Sequence, residues 1–248
     1  MQICGLFRKP QVGMPVQSQS HLQLIPGNGI QGDIQAKPGS PRQVLILDRP
    51  TLQAVGLQPG DLRENILLDA ELHRFASGQG LQIGETLIRL TFRCEPCRFL
   101  DSLQPGLTQR LRQQRGWLGM VIQGGPIAIG DTVMLTEQRF PVLSDSAKER
   151  FYQFVATIPV GQVVTTADVI LALGVTSAHY RTLPGLLKRA PGPLPAHRVI
   201  ARDRTLLTQH LPHQAEALAS EGIEILKGQV PETYNWHPEQ FYPIPPMM

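Results

Sequence analysis

Pro195-Ala196-His197-Arg198-Val199-Ile200 is the stretch on which the reading of this 248-residue chain turns. His197 is the kind of residue that activates a neighbouring nucleophile, yet its neighbour is Ala196. A methyl side chain has no lone pair and no titratable proton, so none of the devices that activate a nucleophile can act on it. The strip excludes covalent transfer at residue 196 and leaves recognition as its task.

Outward from the strip, the apolar spacing reads as a small helical unit. Phe151, Phe154, Val155 and Ile158 recur at helical intervals and would bury one face of a first helix. Thr165 or Thr166 can cap a second helix that runs through Val169, Ile170 and Leu173 and stops at Gly174. Thr176 or Ser177 opens a third, carrying Arg181, Lys188 and Arg189. Two short helices joined by a tight glycine-containing turn, the second one basic, form a helix-turn-helix. Residues 146 to 228 hold nine Lys/Arg against six Asp/Glu, an excess that suits a DNA contact without requiring one.

Several motifs in this segment occur in the order found in O6-alkylguanine-DNA alkyltransferases. They are Ile158-Pro159-Val160-Gly161-Gln162-Val163-Val164-Thr165, then Arg181, then Pro191-Gly192-Pro193-Leu194 leading into the Pro-Ala-His-Arg strip, and Glu221-Gly222. Residues 146 to 226 therefore resemble that family and, with Ala196 in place of the acceptor cysteine, its non-transferring alkyltransferase-like branch. The resemblance implies a mostly helical winged helix-turn-helix domain that binds double-stranded DNA at O6-alkylguanine and marks it for a repair-protein partner. Arg181 falls where the family's arginine fills the stack left by a flipped nucleotide; Thr166, Lys188 and Arg198 are further DNA-binding candidates, with Arg198 open between anchoring backbone carbonyls and meeting a phosphate. Ala196, His197 and Glu221 make a degenerate active-site strip, in which the His-Glu pair would be a structural hydrogen bond.

The chain departs from the family's pattern in four places. Thr166 stands where the family has a tyrosine that helps to rotate the phosphate. Pro184 stands where it has glycine, inside the expected recognition helix, at a cost of about 3 kcal/mol if unrelieved. Ala190 replaces an asparagine. The segment 204 to 212 replaces a glycine-rich lid, and its Leu206, Leu207 and Leu211 could instead serve as a partner surface.

The first half has a different texture, with short apolar runs bounded by turn signals. Residues 43 to 48, 81 to 84, 86 to 91 and 129 to 135 read as strands, with Gly84 and Gly130 where a strand turns or bulges. A closed or nearly closed barrel would hide the strand edges. Gly29-Ile30-Gln31-Gly32-Asp33, Arg42-Gln43-Val44, Arg63-Glu64-Asn65-Ile66, Leu81-Gln82-Ile83-Gly84 and Glu95-Pro96-Cys97 resemble the MOSC domain of molybdenum-cofactor sulfurases. That resemblance implies that Cys97 carries a persulfide sulfur or ligates the metal of a molybdenum-pterin cofactor. Arg42, Arg63 and Asn65 are then the candidates for the pterin phosphate, a task that suits the bidentate guanidinium fork. Cys94 and Cys97 form a lone C-x-x-C with no second Cys/His pair at zinc spacing, and the identity of any metal stays open.

The expected architecture is α+β: a MOSC-like β-barrel over residues 1 to 140, an alkyltransferase-like domain over 146 to 228, and a Pro/aromatic-rich tail over 229 to 248 without regular structure. Three cysteines give no disulfide framework, and neither a leader pattern nor a long apolar run is present, so the expectation is a cytoplasmic protein with no membrane contact. A net charge of +3 argues against a sequence-blind DNA coat. Three functions compete. One is damage recognition with an accessory MOSC half; the second is an interaction protein, both of whose domains are degenerate; the third is a sulfur or molybdenum-cofactor enzyme whose second domain is an interaction or stabilising module. Alkyl transfer is expected of none.

Overall fold

The computed structural model describes residues 1–243 and divides into two compact units, the first ending at Leu143 and the second beginning at Ser144. The tail residues Pro245 and Pro246 lie outside the described residues.

Eleven strands build the first unit: β1 (Ile3–Arg8), β2 (Gln17–Gln19), β3 (His21–Ile25), β4 (Gly29–Ile30), β5 (Val44–Asp48), β6 (Ile66–Leu68), β7 (Gln79–Ile83), β8 (Thr86–Arg93), β9 (Trp117–Gln123), β10 (Gly125–Ala128) and β11 (Val133–Arg139). Three helices join them: α1 (Arg49–Val55), α2 (Phe99–Leu103) and α3 (Leu107–Arg110). The main sheet runs β11-β7-β8-β9-β5-β6-β1-β2, and a second sheet runs β10-β3-β4. The main sheet curls until its ends meet: Gln2 bridges Thr132, Ile3 N–H donates to Asp131 O at 3.0 Å, and Val133 N–H to Met1 O at 2.8 Å. Closure satisfies backbone groups that an open edge would leave bare.

Side-chain alternation explains why β5 and β6 are continuous apolar runs. Ile46 and Ile66 enter the barrel core with Leu24, Leu81, Ile88 and Val121, while Leu47 and Leu67 face an outer layer with Leu52, Leu100, Leu107 and Leu111 from the three helices. Asp48 ends β5 and caps α1 by accepting from Thr51 N–H at 2.7 Å, and Gly56, at φ 71°, terminates that helix. The run from 129 to 135 is not one strand. Ile129, Gly130 and Asp131 form a turn, with Gly130 at φ 93°, and β11 starts only at Val133.

The second unit contains α4 (Ala147–Val155), β12 (Val164–Thr165), α5 (Thr166–Ala172), α6 (Leu183–Lys188), β13 (Val199–Ile200) and α7 (Gln214–Ser220). Thr165 closes a capping box with Asp168 at the start of α5. The expected third helix is broken: a 3-10 turn, Ser177–Arg181, precedes α6. Pro184 consequently sits in the first turn of α6, where a missing N–H breaks no helical bond, so the anticipated penalty does not arise. β12 and β13 pair in parallel, Val164 with Val199, and so position the Pro195–Arg198 strip beside α5.

The tail is not irregular. It forms 3-10 turns at Glu232–Tyr234 and Pro238–Gln240, and Asn235 bridges Val163. Arg204, at φ 70°, holds it down by donating to Val230 O at 2.6 Å, Pro231 O at 2.5 Å and Asn235 Oδ1 at 2.8 Å. Trp236 stacks on Phe154 at 5.6 Å and leans on Phe241 at 4.7 Å, so residues from α4 and the tail share one core. Trp236→Ala should cost the second unit about 3 to 5 kcal/mol, by the measure of large aromatic truncations in cores. Urea unfolding of the full chain followed by circular dichroism checks this; a loss below about 1 kcal/mol would mean that the tail packs without supporting the domain.

Candidate nucleic-acid face and cysteine cradle

Glu221, which follows α7, is the meeting point of the strip. His197 Nε2 lies 2.8 Å from its Oε1; Arg198 donates through Nε at 2.9–3.0 Å to both oxygens and through Nη2 at 2.7 Å; Gly161 N–H donates at 3.1 Å. Arg198 Nη1 also donates to Ile158 O at 2.6 Å. Burial opposes ionisation of the Glu221 carboxyl, but the Arg198 guanidinium, the His197 ring and the Gly161 N–H together outweigh it and bring the pKa from an ordinary 4.5 down to about 2. Ala196, 6% exposed, packs into the core beside this network. Gln214 fixes the strip from the other side, donating to His197 O at 2.9 Å and Val199 O at 2.7 Å and accepting from Leu207 N–H.

Arg181, the last residue of the 3-10 turn, is exposed, and its side chain has no hydrogen-bond or acidic partner among the described residues. It lines an open concavity of about 530 Å³ together with Ala147, Lys148, His179, Thr182, Gly185, Leu186 and Arg189. Lys188 is exposed at the end of α6, outside that lining. Thr166 is half-buried at the first position of α5.

In the first unit, Cys97 is exposed between β8 and α2. Arg115, only 5% exposed, donates through Nη1 to Cys97 Sγ at 3.2 Å and to Glu95 O at 2.8 Å, and its Nε has no partner among the described residues. The Arg63 guanidinium lies 3.4 Å over the Phe99 ring, and Arg63 holds a left-handed φ of 60°. Burial lowers its pKa from the usual arginine value; Cys97 opposes that shift and Arg115 adds to it. Lys9 is lowered by burial and by Arg63, against Asp33. Two cations, Arg115 and Arg63, thus face one exposed thiol, and Arg63 in turn acts on Lys9.

A model described as MOSC domain matches residues 42–134, and one described as 6-O-methylguanine DNA methyltransferase, DNA binding domain, matches residues 146–223. A protein of Escherichia coli (strain K12) described as DNA base-flipping protein is 39% identical over 99 residues, which cover 38% of this chain and 76% of that protein. The chain is a member of the alkyltransferase-like family with a MOSC domain ahead of it. Among solved structures, YiiM from Geobacillus stearothermophilus is similar at 16% identity and a TM-score of 0.46, covering 88% of this chain and 98% of that one. S. pombe Atl1, in complex with DNA containing O6-carboxymethylguanine, is similar at 24% identity and a TM-score of 0.33, covering 38% and 97%.

Within this alkyltransferase-like unit the structure joins His197 to Glu221, as the sequence suggested, and corrects two other readings. Arg198 is spent on Glu221 and the Ile158 carbonyl, so it braces the strip from inside and is not placed to meet a phosphate. The three leucines expected as a partner surface are half-buried: Leu207 and Leu211 pack on the Ala196 core, and Leu206 packs with Val163 and Ile200. In the MOSC unit only Arg63 of the three phosphate candidates joins Cys97. Asn65 is buried, donating to Phe7 O and Asp33 Oδ2 and accepting from Leu45 N–H. Arg42 donates to Cys94 Sγ at 3.4 Å instead. Sequence reasoning missed Arg115 and Lys9. The available signal for Arg115 was its place before Gly116, whose φ of 89° and backbone contact with Ile46 O admit no side chain.

The low pKa of Glu221 makes a pH prediction. A carboxyl depressed on folding contributes stability in full above about 4.5 and loses it as pH falls toward about 2. The gap corresponds to about 3 kcal/mol. Denaturant unfolding from pH 7 to pH 3 should show a falling acid limb in the wild type that Glu221→Gln flattens; an equal limb in both would place its origin in other carboxyls.

Proposed function

We propose that the second unit binds duplex DNA and recognises an O6-alkylated guanine without removing the alkyl group, leaving the lesion marked for repair proteins. The observation that carries this is the intact His197–Glu221–Arg198 network beside Ala196. The frame that holds the strip persists while the nucleophile is gone. The E. coli relative described as a DNA base-flipping protein supports the same reading. Arg181, exposed and unpartnered among the described residues, enters the stack and offsets the cost of extruding the nucleotide, a few kcal/mol that is least at a damaged pair.

The MOSC unit, in this proposal, holds an anionic sulfur species or a molybdenum-pterin cofactor at Cys97. The donor set fits: an exposed cysteine beside Arg115 and Arg63, two cations whose repulsion an anionic ligand relieves. Cys97 would bind the metal through sulfur, and the cations would hold the pterin phosphate. Such a group, when bound, supplies two-electron redox or oxygen- and sulfur-transfer chemistry.

Two measurements test the two halves. A duplex with one O6-methylguanine should bind the wild type at least about tenfold more tightly than its unmodified twin at fixed salt, and Arg181→Ala should lose that preference. Equal affinity for both duplexes would sink damage recognition. For the MOSC unit, molybdopterin should bind the wild type with micromolar or better affinity in calorimetric titration and bind Cys97→Ala at least tenfold more weakly; no binding to the wild type would refute the cofactor reading.

A further inference from the structure

The arginines of the second unit fall into two groups. Arg150 is buried, donating to Leu173 O at 3.0 Å and to the Ser144 and Asp145 carbonyls; Arg198 and Arg204 are likewise spent on internal partners. Arg181, Arg189 and, outside this hollow, Arg202 are exposed; Arg181, Arg189 and Lys148 line an open concavity beside the 3-10 turn. None of the three has a hydrogen-bonded or acidic partner among the described residues, and no carboxylate lines the concavity. Glu149, the acid next to Lys148, is turned away to accept from Ser144 Oγ.

The concavity also has features that hold these cations where they are. The Arg189 guanidinium folds back over α6 onto Gly185; a Cβ there would stand 3.1 Å from Nη2 and 3.4 Å from Nη1. A side chain at position 185 would make the guanidinium give by a few tenths of an ångström. His179 lines the same hollow and has an Nδ1 with no partner among the described residues.

We infer that this concavity is a phosphodiester grip, in which Lys148 and Arg189 neutralise backbone phosphates of the DNA strand whose stack Arg181 enters. This inference rests on the DNA-binding reading above; it adds Lys148, which the sequence did not single out, and gives Arg189 a task of its own. Unpaired cations held beside the residue that enters the base stack supply position and affinity, whereas lesion preference depends on the extruded base. Lys148 and Arg189 therefore act equally on modified and unmodified DNA.

The test is fluorescence anisotropy of the full chain with both duplexes over a salt series. Lys148→Gln with Arg189→Gln is expected to weaken binding to each duplex by at least about tenfold near physiological salt. It should lower the slope of log affinity against log salt by about 1.8, at about 0.9 per phosphate contact released, and keep the lesion preference. Lys227→Gln, the loss of one charge at an exposed residue outside the concavity, should leave the slope intact. An unchanged slope in the double variant, with the wild type binding normally, overturns the grip and leaves the DNA reading standing. A wild type that binds neither duplex overturns both. A lost lesion preference with an unchanged slope also overturns the grip, because it would put these side chains at the base.

Discussion

The second unit depends on one carboxylate. Glu221 accepts from Gly161 at the turn before β12, from His197 in the strip and from Arg198, which in turn holds the carbonyl of Ile158 at the end of the α4 segment. The donors come from two parts of the chain, the turn before β12 and the strip, and converge after α7. A half-buried ion pair of this kind is stabilising only when the remaining polar positions are satisfied, and here the guanidinium and carboxylate are nearly saturated. The relay geometry of a transferase thus outlasts its chemistry because the same bonds hold the fold.

Much of this unit was legible in the sequence. The helical spacing of Phe151, Phe154 and Val155 placed α4, and the Thr165 cap placed α5, because amphipathic periodicity and capping are local signals. The break before α6 was not legible, since a proline inside an apolar helical pattern can mean a kink, a cost or a new start, and only tertiary packing chooses. The tail was legible in part: its prolines argue for irregular chain and its aromatic residues for packing on a domain, and Trp236 and Phe241 do pack on Phe154, a partner that no local pattern names.

The MOSC unit shows the same division. Alternating apolar runs revealed β5, β7 and β8, and the glycines at 84 and 130 revealed turns. The polar assignments fared less well, because the side-chain type does not disclose direction. Asn65 is the right kind of residue for a phosphate, but its amide is consumed by Phe7, Leu45 and Asp33 in stitching β1, β5 and the loop after β4 together. Arg115 was passed over for the opposite reason: it lies in a connecting segment with no motif around it, and only the fold brings it to Cys97.

The methyl group at residue 196 bears on stoichiometry. A transferase that forms a thioether is consumed by each event, so its capacity equals its copy number. With Ala196 no such bond can form at this position, so a base held there under the proposed reading would leave chemically unchanged. Occupancy is then governed by concentration and dissociation rate alone, and one polypeptide can serve successive encounters.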